Sequence, residues 1–138
     1  MIIAVDFDGT IVKDCYPDIG SEMPFATATL KMLAEKGHQL ILWTVRSGRT
    51  LDAAIEWCRK RGVEFYGINQ VFQGDERDGK NYARKPKVDI FIDDRNVGGL
   101  PDWGTIYEII TENRTYEEIL LSEGHNHEHK KKSSWWHF

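Results

Sequence analysis

Runs of apolar residues that do not alternate with polar ones recur along the chain, at residues 2–5, 40–43, 63–65 and 88–92. A run without alternation has no polar face, which is typical of a strand buried on both sides, as in a parallel sheet covered by helices. A shorter run at residues 105–107 predicts a fifth strand nearer an edge. Together these runs predict the strands of one sheet.

Helical periodicity lies between these runs. Apolar residues repeat every three to four positions over residues 24–36 and again over residues 51–61. Thr50 is the predicted N-cap of the second helix. Gly37 and Gly62 suit the left-handed positions at which helices end.

The order of these elements indicates the fold class. Strands that alternate with helices form βαβ units, which place parallel strands in one sheet through right-handed crossovers. We therefore predict an α/β fold: a three-layer Rossmann-like parallel sheet with helices on both faces. In such a sheet ligands bind beyond the carboxyl ends of the strands.

The chain ends with a helix and a polar segment. A last helix is predicted to begin near Thr115, where Thr115 and Glu118 have the spacing of a capping box. From residue 124 onward the composition shifts to His, Lys and Ser. We therefore predict one domain over residues 1–123 and a mobile tail over residues 124–138.

Composition and charge narrow the classes of function. The chain of 138 residues suits one domain, and its formal charge of −4 argues against a protein that coats nucleic acid. No apolar run approaches the roughly twenty residues that a membrane span requires. Cys15 and Cys58 lie far apart, and no signal peptide is recognisable, so we expect free thiols in a cytoplasmic protein.

Pairs of carboxylates follow two of the predicted strands. Asp6 and Asp8 come directly after the first run, and Asp93 and Asp94 come directly after the fourth. Carboxylates crowded at converging strand ends repel one another, and Mg²⁺, which prefers oxygen ligands, relieves that repulsion. The two pairs predict a Mg²⁺ site, and we prefer this to the simpler interpretation that they are aspartates of surface turns.

Residues that suit a phosphoryl group accompany the carboxylates. Gly9 permits a tight turn and the close approach of a ligand, and Thr44 ends the second strand with a hydroxyl and a backbone N–H. Lys85, with Lys87 as the alternative, offers positive charge before the fourth strand. A metal, a hydroxyl and a lysine neutralise a phosphoryl group from several sides. For any single lysine of this basic stretch, a solvated surface charge is the simpler interpretation.

In their order along the chain, these segments resemble the haloacid dehalogenase superfamily of phosphatases and phosphotransferases. The resemblance is carried by Asp6-Phe7-Asp8-Gly9-Thr10, Ile41-Leu42-Trp43-Thr44, Lys85 and Ile90-Phe91-Ile92-Asp93-Asp94, and it runs from residue 1 to about residue 110. Receiver domains of signalling proteins use similar residue types. In those domains, however, the acidic pair comes first and the lysine follows the last strand.

The resemblance implies a role for each residue. Asp6 would attack phosphorus and form an aspartyl-phosphate, and Asp8 would act as general acid and then as general base. Mg²⁺ would be held by Asp6, the backbone carbonyl of Asp8, and Asp93, with Asp94 in a supporting position. The phosphoryl oxygens would be held by the two remaining residues, Thr44 and Lys85.

Members of this superfamily often carry an inserted cap domain, for which this chain leaves little room. Residues 11–20 suffice only for a short flap, and residues 45–84 are taken up by a helix, a strand and a loop. We therefore expect a capless member. Asn69 and Tyr66 could face the site, although loop packing is the simpler interpretation. Arginines near the rim could contact substrate phosphates, although solvated charge is favoured for each: Arg46, Arg49, Arg77 and Arg84.

The leading functional hypothesis is a Mg²⁺-dependent phosphatase that acts on a phosphorylated small molecule. We expect neither a nucleic-acid partner nor a membrane, and a homo-oligomer is compatible with a site that has no cap. One alternative is a non-catalytic module that binds a phosphorylated ligand or partner in the same pocket. Another is a nucleic-acid end phosphatase, which the basic stretch over residues 77–87 allows and the acidic overall charge opposes.

Overall fold

The structure is a computed structural model that describes residues 1–72, 74–75 and 83–123. The predicted tail over residues 124–138 lies outside the described residues, and so does Arg77. The chain divides into two compact units at Trp103 and Gly104.

Within the described residues, the first unit contains a four-stranded parallel sheet. Its strands are β1 (Ile2–Val5), β2 (Gln39–Leu42), β3 (Gly67–Ile68) and β4 (Ile90–Ile92), in the order β3-β2-β1-β4. The side chains of the two central strands, β1 and β2, form much of the buried core. The predicted α/β class with a Rossmann-like parallel sheet is thus confirmed.

Two helices of the first unit connect the strands on one side of the sheet. Helix α1 (Ala26–Glu35) leads from β1 to β2, and helix α2 (Gly48–Lys60) leads from β2 to β3. Both connections step across the sheet in the same direction, so right-handed crossovers place both helices on the same face. In agreement, a Cβ atom on Gly62, just after α2, would lie 3.1 Å from the side chain of Lys31 in α1.

The ends of these helices match the sequence pattern unevenly. Gly37 and Gly62 follow the two helices with φ of +91° and +80°, as predicted. Ser47, not Thr50, is the N-cap residue of α2, and Thr50 lies in the first turn, where its hydroxyl donates to the Ser47 carbonyl at 2.8 Å. The predicted cap was wrong because Gly48 opens the helix with a polar turn that the apolar periodicity does not mark.

The third predicted strand was misplaced. Strand β3 is Gly67–Ile68, whereas the apolar run at residues 63–65 is not part of a strand. Val63 is buried where the chain leaves α2, and hydrogen bonding to β2 begins only where the Tyr66 N–H donates to the Leu40 carbonyl at 2.7 Å. A short apolar run that is buried in a turn cannot be distinguished from a strand by periodicity alone.

The predicted fifth strand at residues 105–107 was also wrong. Helix α3 (Trp103–Thr111) covers these positions, and Ile106 and Ile110, which are four residues apart, are both buried. Spacing by four places side chains on one face of a helix. The run at residues 105–107 contains the β-branched residues Thr105 and Ile106, which are typical of strands, and it was too short to show its period.

The second unit contains the predicted capping box. Residues 116–123 are helical and form α4. The Thr115 N–H donates to Oε2 of Glu118 at 3.0 Å, and the Glu118 N–H donates to Oγ1 of Thr115 at 3.2 Å. These reciprocal bonds satisfy two N–H groups that the first turn leaves unpaired.

None of the helices in the described part of the chain is long and apolar enough to cross a membrane. Cys15 is exposed and Cys58 is buried, and both are free thiols.

Candidate functional site

Two carboxylates of the site continue neighbouring strands. Val5 of β1 pairs with Ile92 of β4, and the next residues on these strands are Asp6 and Asp93. The Asp6 N–H donates to the Ile92 carbonyl at 3.0 Å, which extends the ladder by one residue. Neighbouring strands lie about 4.8 Å apart, so the sheet itself brings these two side chains together.

Asp94 joins Asp6 and Asp93 in a cluster of three carboxylates. One oxygen from each residue lies within 4.8 Å of the oxygens of the other two. Burial, followed by the negative charges of Asp93 and Asp94, raises the pKa of Asp6 from 3.8 to about 7. Half-buried oxygen donors whose charges repel one another suit a hard divalent cation such as Mg²⁺. Asp94 lies in this cluster beside Asp93, whereas the family resemblance implied only a supporting position for it.

Thr10 connects the two strand ends through its hydroxyl. This buried oxygen lies 3.3 Å from Oδ2 of Asp6 and 3.2 Å from Oδ1 of Asp94, and it accepts a bond from the Asp94 N–H at 3.1 Å. The indole N–H of Trp103 donates to the Thr10 carbonyl at 3.1 Å. A hydroxyl has one proton, so Thr10 can donate to only one of the two carboxylates at a time.

Gly9 allows Asp94 to approach the backbone. Its φ of +83° lies in the left-handed region that favours glycine. A Cβ atom at this position would lie 2.3 Å from Oδ2 of Asp94, which is closer than any non-bonded contact allows. The turn after Asp8 therefore requires glycine for both its conformation and its space.

Asp8 forms a bidentate ion pair with Arg46. Nε of Arg46 donates to Oδ2 of Asp8 at 2.6 Å, and Nη2 donates to Oδ1 at 2.7 Å. The Asp8 hydrogen bond raises the pKa of Arg46 further above its usual range. Arg46 is only 1% exposed, so the expectation of a solvated charge at the rim was wrong. A guanidinium tolerates this burial because a carboxylate pairs with it in matching fork geometry.

Thr44 lies beside this ion pair at the end of β2. Its backbone N–H donates to Oδ1 of Asn69 at 2.8 Å, and its hydroxyl oxygen accepts the Arg46 N–H at 3.1 Å. Thr44 thus keeps its hydroxyl proton to donate to a ligand. Asn69 both packs the loop and lines the site, whereas Tyr66 is 62% exposed and is not among the described residues that line the cavity.

A cavity of about 530 Å³ lies at this edge of the sheet. It brings together four of the predicted site residues: Asp6, Asp8, Thr44 and Asp93. The other described residues that line it are Asp14, Tyr16, Trp43, Val45, Asn69 and Arg95. Carboxylates, a hydroxyl and aromatic side chains therefore share one concave surface, and small-molecule sites are typically concave with convergent polar groups.

The predicted short flap at residues 11–20 is part of a small hairpin. The Lys13 N–H donates to the Ser21 carbonyl and the Met23 N–H to the Ile11 carbonyl, both at 2.8 Å. These bonds pair the two arms of the hairpin, and its tip contributes residues to the lining of the cavity.

The structure describes both candidate phosphate lysines. Lys85 is exposed, and its Nζ is 5.6 Å from the centre of the Phe91 ring in β4. Lys87 is also exposed, and neither lysine is among the described residues that line the cavity. Arg95 does line it, and the Arg95 N–H donates to Oδ1 of Asp93 at 2.8 Å. The lysine assignment stays a prediction.

Arg49 and Arg84, which were expected to be solvated charges near the rim, are exposed.

Fold and site together define a parallel α/β protein with a cavity lined by carboxylates at the carboxyl ends of its strands. The chain matches no model of a known protein family and no curated protein. It is similar to a solved structure described as the conserved protein coded by a locus from Bacteroides thetaiotaomicron. The two are 58% identical, the match covers 86% of this chain and 96% of that chain, and the TM-score is 0.79. The chain belongs to the same family as this conserved Bacteroides protein.

Proposed function

We propose that the protein is a capless, Mg²⁺-dependent phosphatase of the haloacid dehalogenase superfamily that hydrolyses phosphomonoesters through an aspartyl-phosphate on Asp6. The observation that carries this proposal is the convergence of Asp6, Asp93 and Asp94, with one oxygen of each within 4.8 Å of the others, beside a cavity that Asp8 also lines. A cavity of about 530 Å³ is large enough for a phosphorylated metabolite.

The reaction has two steps, and Asp6 and Asp8 act in both. A carboxylate oxygen of Asp6 attacks phosphorus, the bond from phosphorus to the leaving oxygen breaks, and Asp8 gives that oxygen a proton. Water then attacks the phosphorus of the aspartyl-phosphate and gives a proton to Asp8, and the bond from phosphorus to Asp6 breaks. Thr44 donates its hydroxyl proton to a phosphoryl oxygen throughout.

The donor set at the strand ends suits the metal that this chemistry requires. Asp6, Asp93 and Asp94 would hold Mg²⁺, which would offset both causes of the raised pKa of Asp6: its burial and then the negative charges of Asp93 and Asp94. Bound Mg²⁺ would offset the negative charge that these carboxylates and a phosphoryl group bring together. The role of the Asp8 carbonyl as a further ligand remains a prediction.

Phosphate release tests the proposal. Purified protein is assayed with p-nitrophenyl phosphate, a panel of phosphorylated metabolites and a 3′-phosphorylated oligonucleotide, each with Mg²⁺ or with EDTA. We expect turnover of a small phosphomonoester only when Mg²⁺ is present, and we expect the rate of Asp6→Asn to equal the background rate. Asp52→Asn, which removes an exposed carboxylate of α2, is the matched control and should keep wild-type activity. If Asp6→Asn released phosphate at the wild-type rate, the assignment of Asp6 as the nucleophile would be refuted.

The position of Lys85 favours a second candidate, the non-catalytic module that binds a phosphorylated ligand. Its Nζ lies 5.6 Å from the centre of the Phe91 ring, and Lys85 is not among the described residues that line the cavity, where the resemblance would place a lysine on the phosphoryl oxygens. Binding of phosphate or of a metal-fluoride phosphoryl mimic, with no turnover across the whole panel, would favour this candidate over the phosphatase.

The cytoplasm is the proposed compartment. Both cysteines are free thiols, and Cys15 is exposed, which suits a reducing environment.

A further inference from the structure

The guanidinium of Arg46 uses every hydrogen-bond donor it has. Arginine carries five N–H groups on its guanidinium. Two bind Asp8, as described, and the other three bind backbone carbonyls: Nη1 donates to Pro17 at 3.2 Å and Thr50 at 3.1 Å, and Nη2 donates to Asp18 at 2.9 Å. No N–H remains for a substrate phosphate, so Arg46 acts on the site through the groups that it already holds.

The same side chain is held in place from the sides. The central carbon of the guanidinium lies 5.1 Å from the centre of the Phe7 ring and 5.2 Å from the centre of the Tyr16 ring. Contacts of a cation with aromatic rings at these distances are attractive, and they are strongest where water is excluded. The side chain of Arg46 is fully buried, whereas that of Asp8 keeps 12% of its surface exposed. Arg46 is therefore held on all sides by protein, whereas Asp8 remains accessible from the cavity.

The ion pair leaves lone-pair sites open on both oxygens of Asp8. A carboxylate offers about four lone-pair sites, and Arg46 occupies one on each oxygen. The remaining sites are available on a side chain whose rotamer is fixed by two short, charge-assisted bonds. Proton transfer requires the acid or base to lie within hydrogen-bond reach of the reacting oxygen, so a fixed rotamer is an advantage.

Arg46 also joins Asp8 to the flap. Its bonds to the carbonyls of Pro17 and Asp18 hold the tip of the hairpin, and Asp14 and Tyr16 from this tip line the cavity. A shift of the tip would therefore break bonds of the guanidinium that orients Asp8.

We propose that Arg46 is a positioning residue that sets the geometry of the general acid/base Asp8 and couples it to the flap over the cavity. The inference rests on the proposed phosphatase function. Lysine preserves the charge of Arg46 but has three donors on one nitrogen, so it cannot bridge both oxygens of Asp8 in a fork and reach the flap carbonyls as well.

The test compares two leaving groups. Departure of an alkoxide requires a proton from Asp8, whereas p-nitrophenolate leaves readily without one. General-acid catalysis is worth about 10²–10⁴-fold, so we expect Arg46→Lys to lower kcat/KM for an alkyl phosphomonoester by about 100-fold and for p-nitrophenyl phosphate by less than about tenfold. Arg61→Lys is the matched control, because Arg61 also lies over an aromatic ring, at 3.6 Å from Trp57, and donates to a backbone carbonyl. It should keep both activities.

A double-mutant cycle isolates the path through Asp8. If Arg46 acts through Asp8, adding Arg46→Lys to Asp8→Asn should cause little further loss with the alkyl substrate. Fully additive losses would overturn the proposal. If Arg46→Lys merely destabilised the protein, its activity with both substrates would fall in proportion to the unfolded fraction. An unchanged ratio of the two kcat/KM values would therefore overturn the proposal as well.

A flap variant carries the test if Arg46→Lys does not fold, as judged by near-ultraviolet circular dichroism. Tyr16→Ala removes the exposed ring that covers the guanidinium, and Tyr16→Phe keeps that ring. If the ring holds the Arg46–Asp8 pair in place, Tyr16→Ala should lower the ratio of kcat/KM for the alkyl substrate to kcat/KM for the aryl substrate. Tyr16→Phe, which keeps the ring, should leave this ratio unchanged. Loss of substrate stacking would raise the ratio instead and would count against the proposal. An inactive wild type refutes the phosphatase and the inference together, whereas an active wild type with unchanged ratios refutes the inference alone.

Discussion

Replacing Asp6 with asparagine should stabilise the metal-free protein, and the gain should grow with pH. Burial and the charges of Asp93 and Asp94 raise the pKa of Asp6 from 3.8 to about 7 in the folded state. Between these two values the folded protein keeps a proton that the unfolded chain has lost, so stability falls as the pH rises from about 4 to about 7. Asparagine removes the charge and with it this loss.

The size of the effect follows from the two pKa values. A rise from 3.8 to about 7 corresponds to about 4 kcal/mol at pH above 7, at 1.36 kcal/mol for each pH unit. Part of the Asp6 carboxyl remains in contact with water, and solvent screening reduces this ceiling to about 2 kcal/mol. Near pH 5 the expected gain is less than half of that, because most of the window in which the proton is retained lies above this pH.

Urea unfolding in EDTA measures the difference. Wild type, Asp6→Asn and the control Asp52→Asn are compared at pH 5 and pH 8, and each free energy of unfolding is obtained by linear extrapolation. Asp6→Asn should exceed wild type at pH 8 by about 2 kcal/mol, and Asp52→Asn should not. Equal stability of Asp6→Asn and wild type at pH 8, or a gain that is the same at both pH values, would refute the view that the charged cluster opposes folding.

Three further results are expected. Mg²⁺ at 100 times its dissociation constant should raise the free energy of unfolding of wild type by about 2.7 kcal/mol but not that of Asp93→Asn, and equal gains in the two would place the metal elsewhere. Gly9→Ala should cost at least about 1–2 kcal/mol in thermal or urea unfolding, because φ is +83° and the new Cβ meets Asp94; unchanged stability would contradict this geometry. Trp103→Phe should cost about 1–3 kcal/mol by the same measurement, because it leaves the buried Thr10 carbonyl without its donor, and a neutral effect would show that water replaces the indole.

The parts of the fold that sequence could predict are those with a clear period or a clear end. The runs of β1 and β2 have no polar face, and Asp6 and Thr44 mark where these strands end, so the parallel sheet and the edge that carries the site could both be inferred. The capping box at Thr115 and Glu118 could be inferred because its two hydrogen bonds lie within four residues of sequence.

The parts that sequence could not predict depend on tertiary contacts. Val63 and Ile106 belong to short apolar runs whose burial, in a turn and in a helix, imitates that of a strand. In such runs the neighbours in space, which periodicity does not encode, decide between the alternatives.

The position of Arg46 in the site could have been predicted from its spacing in the sequence. It lies two residues after Thr44, so in an extended segment both side chains point the same way, and the same spacing separates Asp6 from Asp8. The burial of Arg46 could not be inferred, because it requires acceptors from a flap that is distant in sequence. The position of Lys85 near Phe91 could not be predicted from the sequence either, because the order of charges along a chain does not give the direction of a side chain.

The register between β1 and β4 has a consequence for how this protein can change. The spacing of Asp6 and Asp93 is a property of the backbone ladder, because both residues directly follow the paired residues Val5 and Ile92. A longer or shorter connection between β3 and β4, or a different flap sequence, would leave that spacing as it is. The carboxylate cluster and the flap residues that line the cavity, Asp14 and Tyr16, therefore lie on parts of the chain that can vary independently of each other.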